Sequence, residues 1–446
     1  MQDAVQNLQH HFAGDIIEPD APQYASARAA KFAAGQPALI LRPATVTDVQ
    51  AAVRYAVDLG LAMAVRSGGH SFPGFGTNDG GVVIDLGGLT GVEVIDKERH
   101  LVRIGGGATW GEVTNSLAPH GLAISSGDTK SVGVGGLTLN GGIGWTVRKH
   151  GLTLDNLVGA EVVTADGEIN SVGEQEHPDL FWAIRGGGGN FGIVTSFVFV
   201  AHPTTDLYFG KIKFPAAEAV TVLRGWADYL NHASDDLTSI VTLANPMAGG
   251  PQAPVEVAVA FDGDDPQRAA EAIDPIRRLG TVLDDDVSLR AYPDILVDGG
   301  APPAGIQLIT RSSFVDSESV PEVLDILAEV GTSERSPVIA IRSVGGAVSR
   351  IAPDATAYAH RRAELLIILT SAGPQPVVEA ARPGVDAVWA RLAPHTDGAY
   401  GNFLTAAGDQ DVARIYPAAT YRRLADVKRR YDPGNLFAGN HNVCPQ

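Results

Sequence analysis

The segment Arg66–Phe75 reads RSGGHSFPGF and decides how the first half of the chain is organised. A predicted strand, Ala62–Val65, leads into it, and Gly68 and Gly69 then turn the chain without Cβ atoms, with His70 at the turn. Backbone N–H groups in such a loop converge on a site suited to phosphate oxygens. The imidazole is a nucleophile that can attach to an electrophilic carbon of a cofactor. Taken alone, a single histidine in a glycine turn is more often a surface or capping residue.

Two further glycine-rich segments follow, Ser131–Gly144 (SVGVGGLTLNGGIG) and Gly186–Gly192 (GGGGNFG). The first contains Gly-x-Gly spacing, yet no hydrophobic strand leads directly into it. No acidic residue closes a βαβ unit about twenty residues further on, so it is not a dinucleotide fingerprint. Close backbone approach to a flat or phosphorylated ligand remains as an interpretation, beside the alternative that the glycines serve only turns.

The tail Tyr431–Asn442 (YDPGNLFAGNHN) carries two asparagines at positions i and i+2. Asparagine side chains can bond the carbonyl and ring nitrogen of a heterocycle. Without the other segments, the tail would be interpreted as a loop.

Composition limits the size of the core and the kinds of partner. The 446 residues exceed the ~250–300 at which single cores stop growing, so we expect two domains. The net charge of -18 argues against a nucleic-acid or anionic-membrane partner, which would require a basic face. Cys444 is the single cysteine, which excludes an internal disulfide, a cysteine-based zinc site and an iron–sulfur cluster. No metal is predicted.

The N-terminus (MQDAVQNLQHHFAGDIIEPD) lacks the basic region and apolar core of a signal peptide. No apolar run reaches the ~18 residues of a spanning helix. We therefore expect a cytoplasmic protein, present as a monomer or a homodimer.

The pattern of apolar residues predicts different architectures before and after residue 203. Two capping boxes, Thr45 with Asp48 and Thr109 with Glu112, start helices in the first part. Its predicted strands are Leu39–Leu41, Val82–Ile84, Val92–Ile95, Leu101–Ile104, Glu161–Thr164 and Gly192–Val200. In the later part, predicted helices alternate with apolar strands, which indicates an antiparallel sheet covered by helices. The helices are Ala216–Asn231, Asp265–Leu279 and Val320–Val330, the strands include Val255–Phe261 and Glu364–Thr370, and a last helix is Thr420–Arg430.

Five segments occur together in one order: RPATVTDVQ, VRSGGHSFPGFGTNDGGVVIDL, SVGVGGLTLNGGIGW, DLFWAIRGGGGNFGIVTSF and YDPGNLFAGNHNV. In these segments the chain resembles the FAD-linked oxidases of the vanillyl-alcohol-oxidase fold, in the berberine-bridge-enzyme-like branch, and especially bacterial members acting on amines or sugars. The resemblance spans roughly 36–203, 358–361 and 398–445. It implies an α+β fold with a PCMH-type FAD-binding domain, 1–205 completed by 405–446, and a substrate-binding domain, 206–404.

The resemblance also implies how FAD is held. His70 matches the histidine that is linked to the 8α-methyl group of the flavin. The other matched positions are Arg66, Ser67, Gly68, Gly69 and Ser71 at the pyrophosphate; Val132, Gly133, Gly136, Gly141 and Gly142 along the isoalloxazine and ribityl chain; Gly192 and Val194 toward the adenine; and Asn440 and Asn442 near the flavin ring.

Two departures from the family pattern concern the chemistry. Thr129 stands where many relatives have a cysteine that forms a second covalent link, so a single link through His70 is expected. Phe403 stands where the family often has a tyrosine that deprotonates the substrate, and phenylalanine cannot accept a proton. Tyr400, Tyr358 and His360 are the candidate replacements, although each could simply pack or cap the fold.

By resemblance, the reaction takes hydride from a small substrate to flavin N5 and passes the electrons to O2, giving H2O2. Val132 matches a position at which relatives with a small aliphatic residue react well with oxygen, so the resemblance favours an oxidase over a dehydrogenase. A neutral amine needs no prior O–H deprotonation and suits Phe403, whereas an alcohol or sugar needs another base. Both substrate classes stay open. So do two alternatives, an oxidative cyclase or tailoring enzyme for a larger natural product and a flavin-binding protein that has lost turnover.

Overall fold

A computed structural model describes residues 2–204, 206–245, 249–298, 300, 303, 305–334 and 336–445. Along these ranges the strands are β1 (Asp15–Ile17), β2 (Leu39–Arg42), β3 (Met63–Arg66), β4 (Val82–Asp85), β5 (Val92–Asp96), β6 (Leu101–Gly105), β7 (Leu122–Ala123), β8 (Leu157–Val163), β9 (Ile169–Gly173), β10 (Ile193–Val200), β11 (His202–Pro203), β12 (Asp206–Phe214), β13 (Leu237–Leu243), β14 (Val255–Phe261), β15 (Asp284–Asp285), β16 (Ser288–Ala291), β17 (Ile306–Val315), β18 (Val338–Ser343) and β19 (Leu365–Pro374).

The helices of the same ranges are α1 (Gln2–Gln9), α2 (Tyr24–Ala27), α3 (Val46–Asp58), α4 (Trp110–Leu117), α5 (Val134–Asn140), α6 (Val147–His150), α7 (Pro178–Ile184), α8 (Ala219–Leu230), α9 (Pro266–Arg277), α10 (Tyr292–Ile295), α11 (Val320–Gly331), α12 (Gln375–Leu392), α13 (Asp409–Ile415) and α14 (Ala418–Tyr431). No helix of this described part is both long enough and apolar enough to cross a membrane.

The N-terminal sheet has the order β1-β2-β4-β3, and β4 pairs in parallel with both β2 and β3. Helix α3 starts at the predicted capping box, in which the Thr45 hydroxyl accepts a hydrogen bond from the Asp48 N–H and the Asp48 carboxylate accepts one from the Thr45 N–H. Strand β3 ends at Arg66, so the 67–76 loop leaves the sheet at the carboxyl end of β3. This places the segment Arg66–Phe75 at one edge of the sheet.

A second, antiparallel sheet has the order β5-β6-β10-β8-β9. The second capping box, Thr109 with Glu112, starts α4 as predicted. Part of the glycine-rich segment 131–144 forms helix α5, and the apolar segment Phe181–Ile184 lies in α7, which begins at Pro178. Helix α7 ends where the 186–192 glycine run begins.

The third large sheet, antiparallel throughout, has the order β15-β12-β14-β13-β18-β19-β17, with β16 also pairing with β12. Every residue of β14 is buried because both faces of this sheet are covered. Val257 and its alternate neighbours pack with helices α8, α9, α11 and α12, whereas Ala258 and Ala260 share a core with Phe197 of the second sheet. The α+β fold with an antiparallel sheet covered by helices is confirmed.

The last helix returns the chain to its first half. Lys428 of α14 is fully buried, donates to the carbonyl oxygens of Asn190 and Phe437, and pairs with Asp432 at 2.7 Å. Removing a buried partner of such a pair is costly, so these contacts hold the C-terminal tail beside the 186–192 glycine run.

Candidate active site

One cavity brings together the three glycine-rich segments, the tail and the 400–403 turn. Its predicted lining residues are Arg66, Ser67, Gly68, Gly69, His70, Ser71, Val132, Gly133, Gly136, Gly192, Val194, Asn440 and Tyr400. Segments more than 300 residues apart in sequence therefore face one space, as a cofactor that contacts all of them would require.

The first two glycine segments touch through their backbones. A Cβ atom on Gly68 would lie 2.2 Å from the backbone nitrogen of Gly133, and one on Gly133 would lie 2.1 Å from that of Gly68. The Ser67 hydroxyl ties the same loops, since it donates to the carbonyl oxygen of Gly106 at 2.7 Å and accepts from the N–H of Gly135 at 3.3 Å. Glycine is needed here because any side chain would separate the loops.

The guanidinium of Arg66 is engaged by protein groups. It donates to the carbonyl oxygen of Ala27 at 2.6 Å and pairs with Asp85 at 3.0 Å. Arg66 therefore anchors the loop at the end of β3, and its guanidinium shares the Asp85 carboxylate with that of Arg42.

His70 lines the cavity with its ring held from two sides. Its Nε2 lies 2.9 Å from the Ser131 hydroxyl oxygen, and its ring meets Phe32 edge-on at 6.1 Å. Burial, with a smaller contribution from the charge of Lys31, lowers the pKa of His70 to about 4. The imidazole is therefore neutral at physiological pH and keeps a lone pair for bond formation.

Tyr400 also lines the cavity. Its hydroxyl oxygen accepts hydrogen bonds from the N–H of Gly142 at 2.8 Å and from the Asn402 amide at 3.0 Å. Burial raises the pKa of Tyr400 in spite of these two donors. Burial therefore favours the neutral phenol, which can donate its own proton in a hydrogen bond.

Gly141 and Gly142 do not line the cavity, contrary to expectation. A Cβ atom on Gly141 would lie 2.9 Å from the Tyr400 ring, and Gly142 supplies the N–H that holds the Tyr400 hydroxyl. Both glycines act on the site through Tyr400.

Tyr358 and His360 were expected to border the cleft, and this expectation is wrong, since neither lines the cavity. Tyr358 is buried and its N–H donates to the carbonyl oxygen of Arg185, while burial raises the pKa of its hydroxyl. His360 stacks on Phe314 at 4.7 Å, and its Nε2 lies 3.1 Å from the carbonyl oxygen of Ile415. Both side chains pack the fold behind the site.

The tail places Asn440 and His441 in the lining, but not Asn442. The Asn442 amide instead lies 3.5 Å from the sulfur of Cys444, so of the two asparagines only Asn440 lines the cavity. Within the described chain, three lining residues have buried polar atoms without a partner: the Tyr416 hydroxyl, Asn440 Oδ1 and His441 Nδ1. Buried polar groups normally have partners, so these atoms fit a polar ligand such as FAD.

Sequence reasoning did not single out Asp128, which lines the cavity next to Thr129. Its carboxylate pairs with Arg342 of β18 at 2.5 Å, and the Arg342 guanidinium lies 5.2 Å from the centre of the Phe403 ring. Arg342 holds the pKa of Asp128 below its ordinary value, although burial alone would raise it. No local sequence pattern indicates a functional role for either residue, because that role depends on the contact between them in the folded chain.

Comparison with known proteins agrees with this cavity. Residues 37–173 match the family model described as FAD binding domain, and residues 399–444 match the one described as berberine and berberine like. The chain is 33% identical to (R)-6-hydroxynicotine oxidase of Paenarthrobacter nicotinovorans over 92% of each protein.

Two solved structures show the same fold. That of 6-hydroxy-D-nicotine oxidase from Arthrobacter nicotinovorans is 31% identical, with a TM-score of 0.83 over 98% of both chains. That of glucooligosaccharide oxidase from Acremonium strictum, a protein with a 6-S-cysteinyl, 8α-N1-histidyl FAD, is 25% identical with a TM-score of 0.86 over 99% of both chains. The chain therefore belongs to the berberine-bridge-enzyme-like branch of the FAD-linked oxidases with the vanillyl-alcohol-oxidase fold, and is an FAD-dependent oxidase of small organic substrates.

Proposed function

We propose that this oxidase holds its FAD through one covalent bond from His70, oxidises an alcohol, sugar or amine, and passes the electrons to O2. The observation that carries the proposal is the neutral His70 imidazole on the cavity wall, with Nε2 toward Ser131. Thr129 lines the same cavity, whereas Cys444, the free cysteine, is exposed and lies outside the lining. A doubly linked flavin, as in the glucooligosaccharide oxidase, would therefore lack its sulfur here.

The lining supports a distribution of roles along FAD. We assign the pyrophosphate to the backbone of Arg66 and the loop Ser67–Ser71, the isoalloxazine and ribityl chain to 132–136, the adenine side to 192–194, and the flavin ring to Asn440. Bound FAD supplies the acceptor for hydride. The chain's own part is to orient the substrate, exclude water and handle the proton. Per substrate, two electrons and two protons reduce one O2 to H2O2.

We propose the domain division 1–205 with 405–446, and 206–404. It is supported by the large sheet, which begins at Asp206, and by α14, whose contacts return to the first half. A cytoplasmic location and a monomeric or homodimeric state stay predictions, to be checked by cell fractionation and by light scattering.

The covalent link is tested by acid precipitation of the purified protein. We expect a yellow pellet from the native chain and from Cys444→Ser, and a colourless pellet from His70→Ala, with any FAD released to the supernatant. Free FAD from the native protein, or a yellow His70→Ala pellet, would show that the link through His70 is wrong.

Turnover is tested by peroxide release over a panel of amines, sugars and polyphenols. Peroxide release supports the oxidase, whereas a flavin that no compound reduces would favour a protein that has lost turnover. A ring-closed product, identified by its mass, would favour the oxidative cyclase. Phe403→Tyr is expected to raise the rate with alcohols, because it restores a group that can accept a proton.

A further inference from the structure

The cavity contains one carboxylate among its described lining residues, that of Asp128. The other lining side chains that can bind or release a proton are those of Arg66, His70, Tyr400, Tyr416 and His441. Arg66 is paired with Asp85, and Tyr400 is a neutral phenol whose oxygen already accepts two hydrogen bonds. Asp128 is thus the lining group that is anionic without any preceding proton transfer.

The structure holds this carboxylate in place from several directions. Thr129 donates its hydroxyl proton to Asp128 Oδ1 at 3.0 Å, and Arg342 binds Oδ2. The backbone is fixed as well, since the Val297 N–H donates to the Asp128 carbonyl oxygen at 2.8 Å and the Lys130 N–H donates to that of Val297 at 2.9 Å. An oxygen fixed in this way can meet a substrate with little loss of freedom.

Asp128 also lies close to the position of the missing tyrosine. Its partner Arg342 lies 5.2 Å from the centre of the Phe403 ring, and Phe403 meets the ring of Tyr400 at 5.3 Å. Arg342, Asp128, Phe403 and Tyr400 therefore form one cluster on the substrate-domain side of the cavity.

We propose that Asp128, positioned by Arg342, accepts the hydroxyl proton of the substrate, so that this enzyme oxidises alcohols or sugars. This inference rests on the proposed function, in which FAD occupies the cavity. As the substrate C–H bond breaks and its electron pair leaves as hydride to the flavin, the O–H proton passes to the Asp128 carboxylate and the C=O bond forms. O2 then takes two electrons and two protons, one of them from Asp128, and leaves as H2O2.

The same carboxylate disfavours an amine. A carboxylate beside an amine stabilises the ammonium form, which has no lone pair to assist hydride departure. An alcohol has no protonated form at neutral pH, so a nearby carboxylate only helps it. This physical difference favours alcohols or sugars over amines as the substrate class.

The experiment measures anaerobic flavin reduction by stopped flow with glucose, cellobiose, xylobiose and benzyl alcohol, and with benzylamine as the amine that has no hydroxyl group. We expect hydroxyl substrates to reduce the native enzyme. Asp128→Asn should slow this reduction by ~10²–10⁴-fold, the usual contribution of a positioned base. Asp128→Glu should recover part of the rate, and Asp298→Asn, an exposed acid on the neighbouring segment outside the lining, should match the native enzyme.

The pH profile separates Asp128 from Tyr400. Among the described residues, the charged and titratable groups that face Asp128 are Arg342 and Tyr400, and Arg342 keeps the carboxylate ionised. The rate of flavin reduction by a hydroxyl substrate should therefore not change through ionisation of a base between about pH 6 and 9. With a tyrosine as the base, this rate would increase with pH over the whole of that range. Arg342→Met should bring an acid limb into the profile, because the pKa of Asp128 rises when its cation is lost.

The proposal would be overturned if only amines, or no hydroxyl substrate, reduced the flavin of the native enzyme. It would also be overturned if a hydroxyl substrate reduced the flavin of Asp128→Asn at the native rate. Two measurements distinguish this from failure of the proposed function. Asp128→Asn should keep acid-stable flavin and an unchanged rate of reoxidation by O2 after dithionite reduction. The affinity of Asp128→Asn for cellobiose or benzyl alcohol, measured by calorimetry, should be weaker than that of the native enzyme but still detectable. A colourless Asp128→Asn pellet would count against the proposal, because Asp128 would then be needed to hold the flavin.

Discussion

Substitution of His202 should remove part of the acid sensitivity of the fold. His202 stacks on His150 with ring centres 3.8 Å apart and planes 12° apart, and its Nε2 donates to Asn156 Oδ1 at 2.6 Å. Burial first, and then the proximity of His150, lower its pKa to about 4, although Asp262 acts in the opposite sense. The native fold therefore holds this ring neutral.

The size and sign of the effect follow from the difference between the folded and unfolded pKa values. The unfolded chain binds a proton at His202 below pH ~6.5, whereas the folded chain does so only near pH 4. Between these values the unfolded state binds more protons, so stability falls as the pH falls. At about pH 4.5 this one residue accounts for a loss of about 2.5 kcal/mol, and above pH ~7 it accounts for none.

The assay is urea unfolding of the native protein and His202→Gln at about pH 7.5 and 4.5. Glutamine keeps a donor for Asn156 but has no titrating group. On acidification, the free energy of unfolding of His202→Gln should therefore decrease by about 2 kcal/mol less than that of the native protein. His120→Gln, at an exposed position, is the matched control and should behave as the native protein does. If His202→Gln lost as much stability on acidification as the native protein, the reasoning from the buried ring would be refuted.

Three other substitutions test contacts of the site and the fold. Gly68→Ala should lower the flavin content per chain and destabilise the fold by about 1–3 kcal/mol, because its methyl group would lie 2.2 Å from a backbone nitrogen; Gly434→Ala, in open space, is the control, and equal flavin content in both would contradict this. Tyr400→Phe should lower the free energy of urea unfolding by about 1–3 kcal/mol, since a buried N–H loses its acceptor; an unchanged value would mean that the N–H finds another. Asp155→Asn should cost about 3–5 kcal/mol in the same assay, because it leaves the buried Arg361 guanidinium without its two 2.8 Å carboxylate bonds, and a loss under 1 kcal/mol would refute the role of this pair.

The local pattern of the sequence was sufficient for features whose cause lies within a few residues. The capping boxes at Thr45 and Thr109 start helices because the cap and its N–H partner are three residues apart. The chain turns directly after strand β3 at Gly68 and Gly69, because these residues have no Cβ atoms to hinder the turn. Residue type shows that Phe403 cannot accept a proton, whereas the expectation of a base at this position came from the resemblance to the family.

Only the tertiary structure decided which side chains share the cavity. Tyr358 and His360 are chemically suitable bases, but they pack behind the site, and nothing in their own segment reveals this. Asp128 and Arg342 are 214 positions apart, so neither charge can be recognised as paired until strand β18 meets the loop that carries Asp128. Sequence patterns report neighbours along a helix or strand, whereas burial, partner and pKa depend on neighbours brought together by folding.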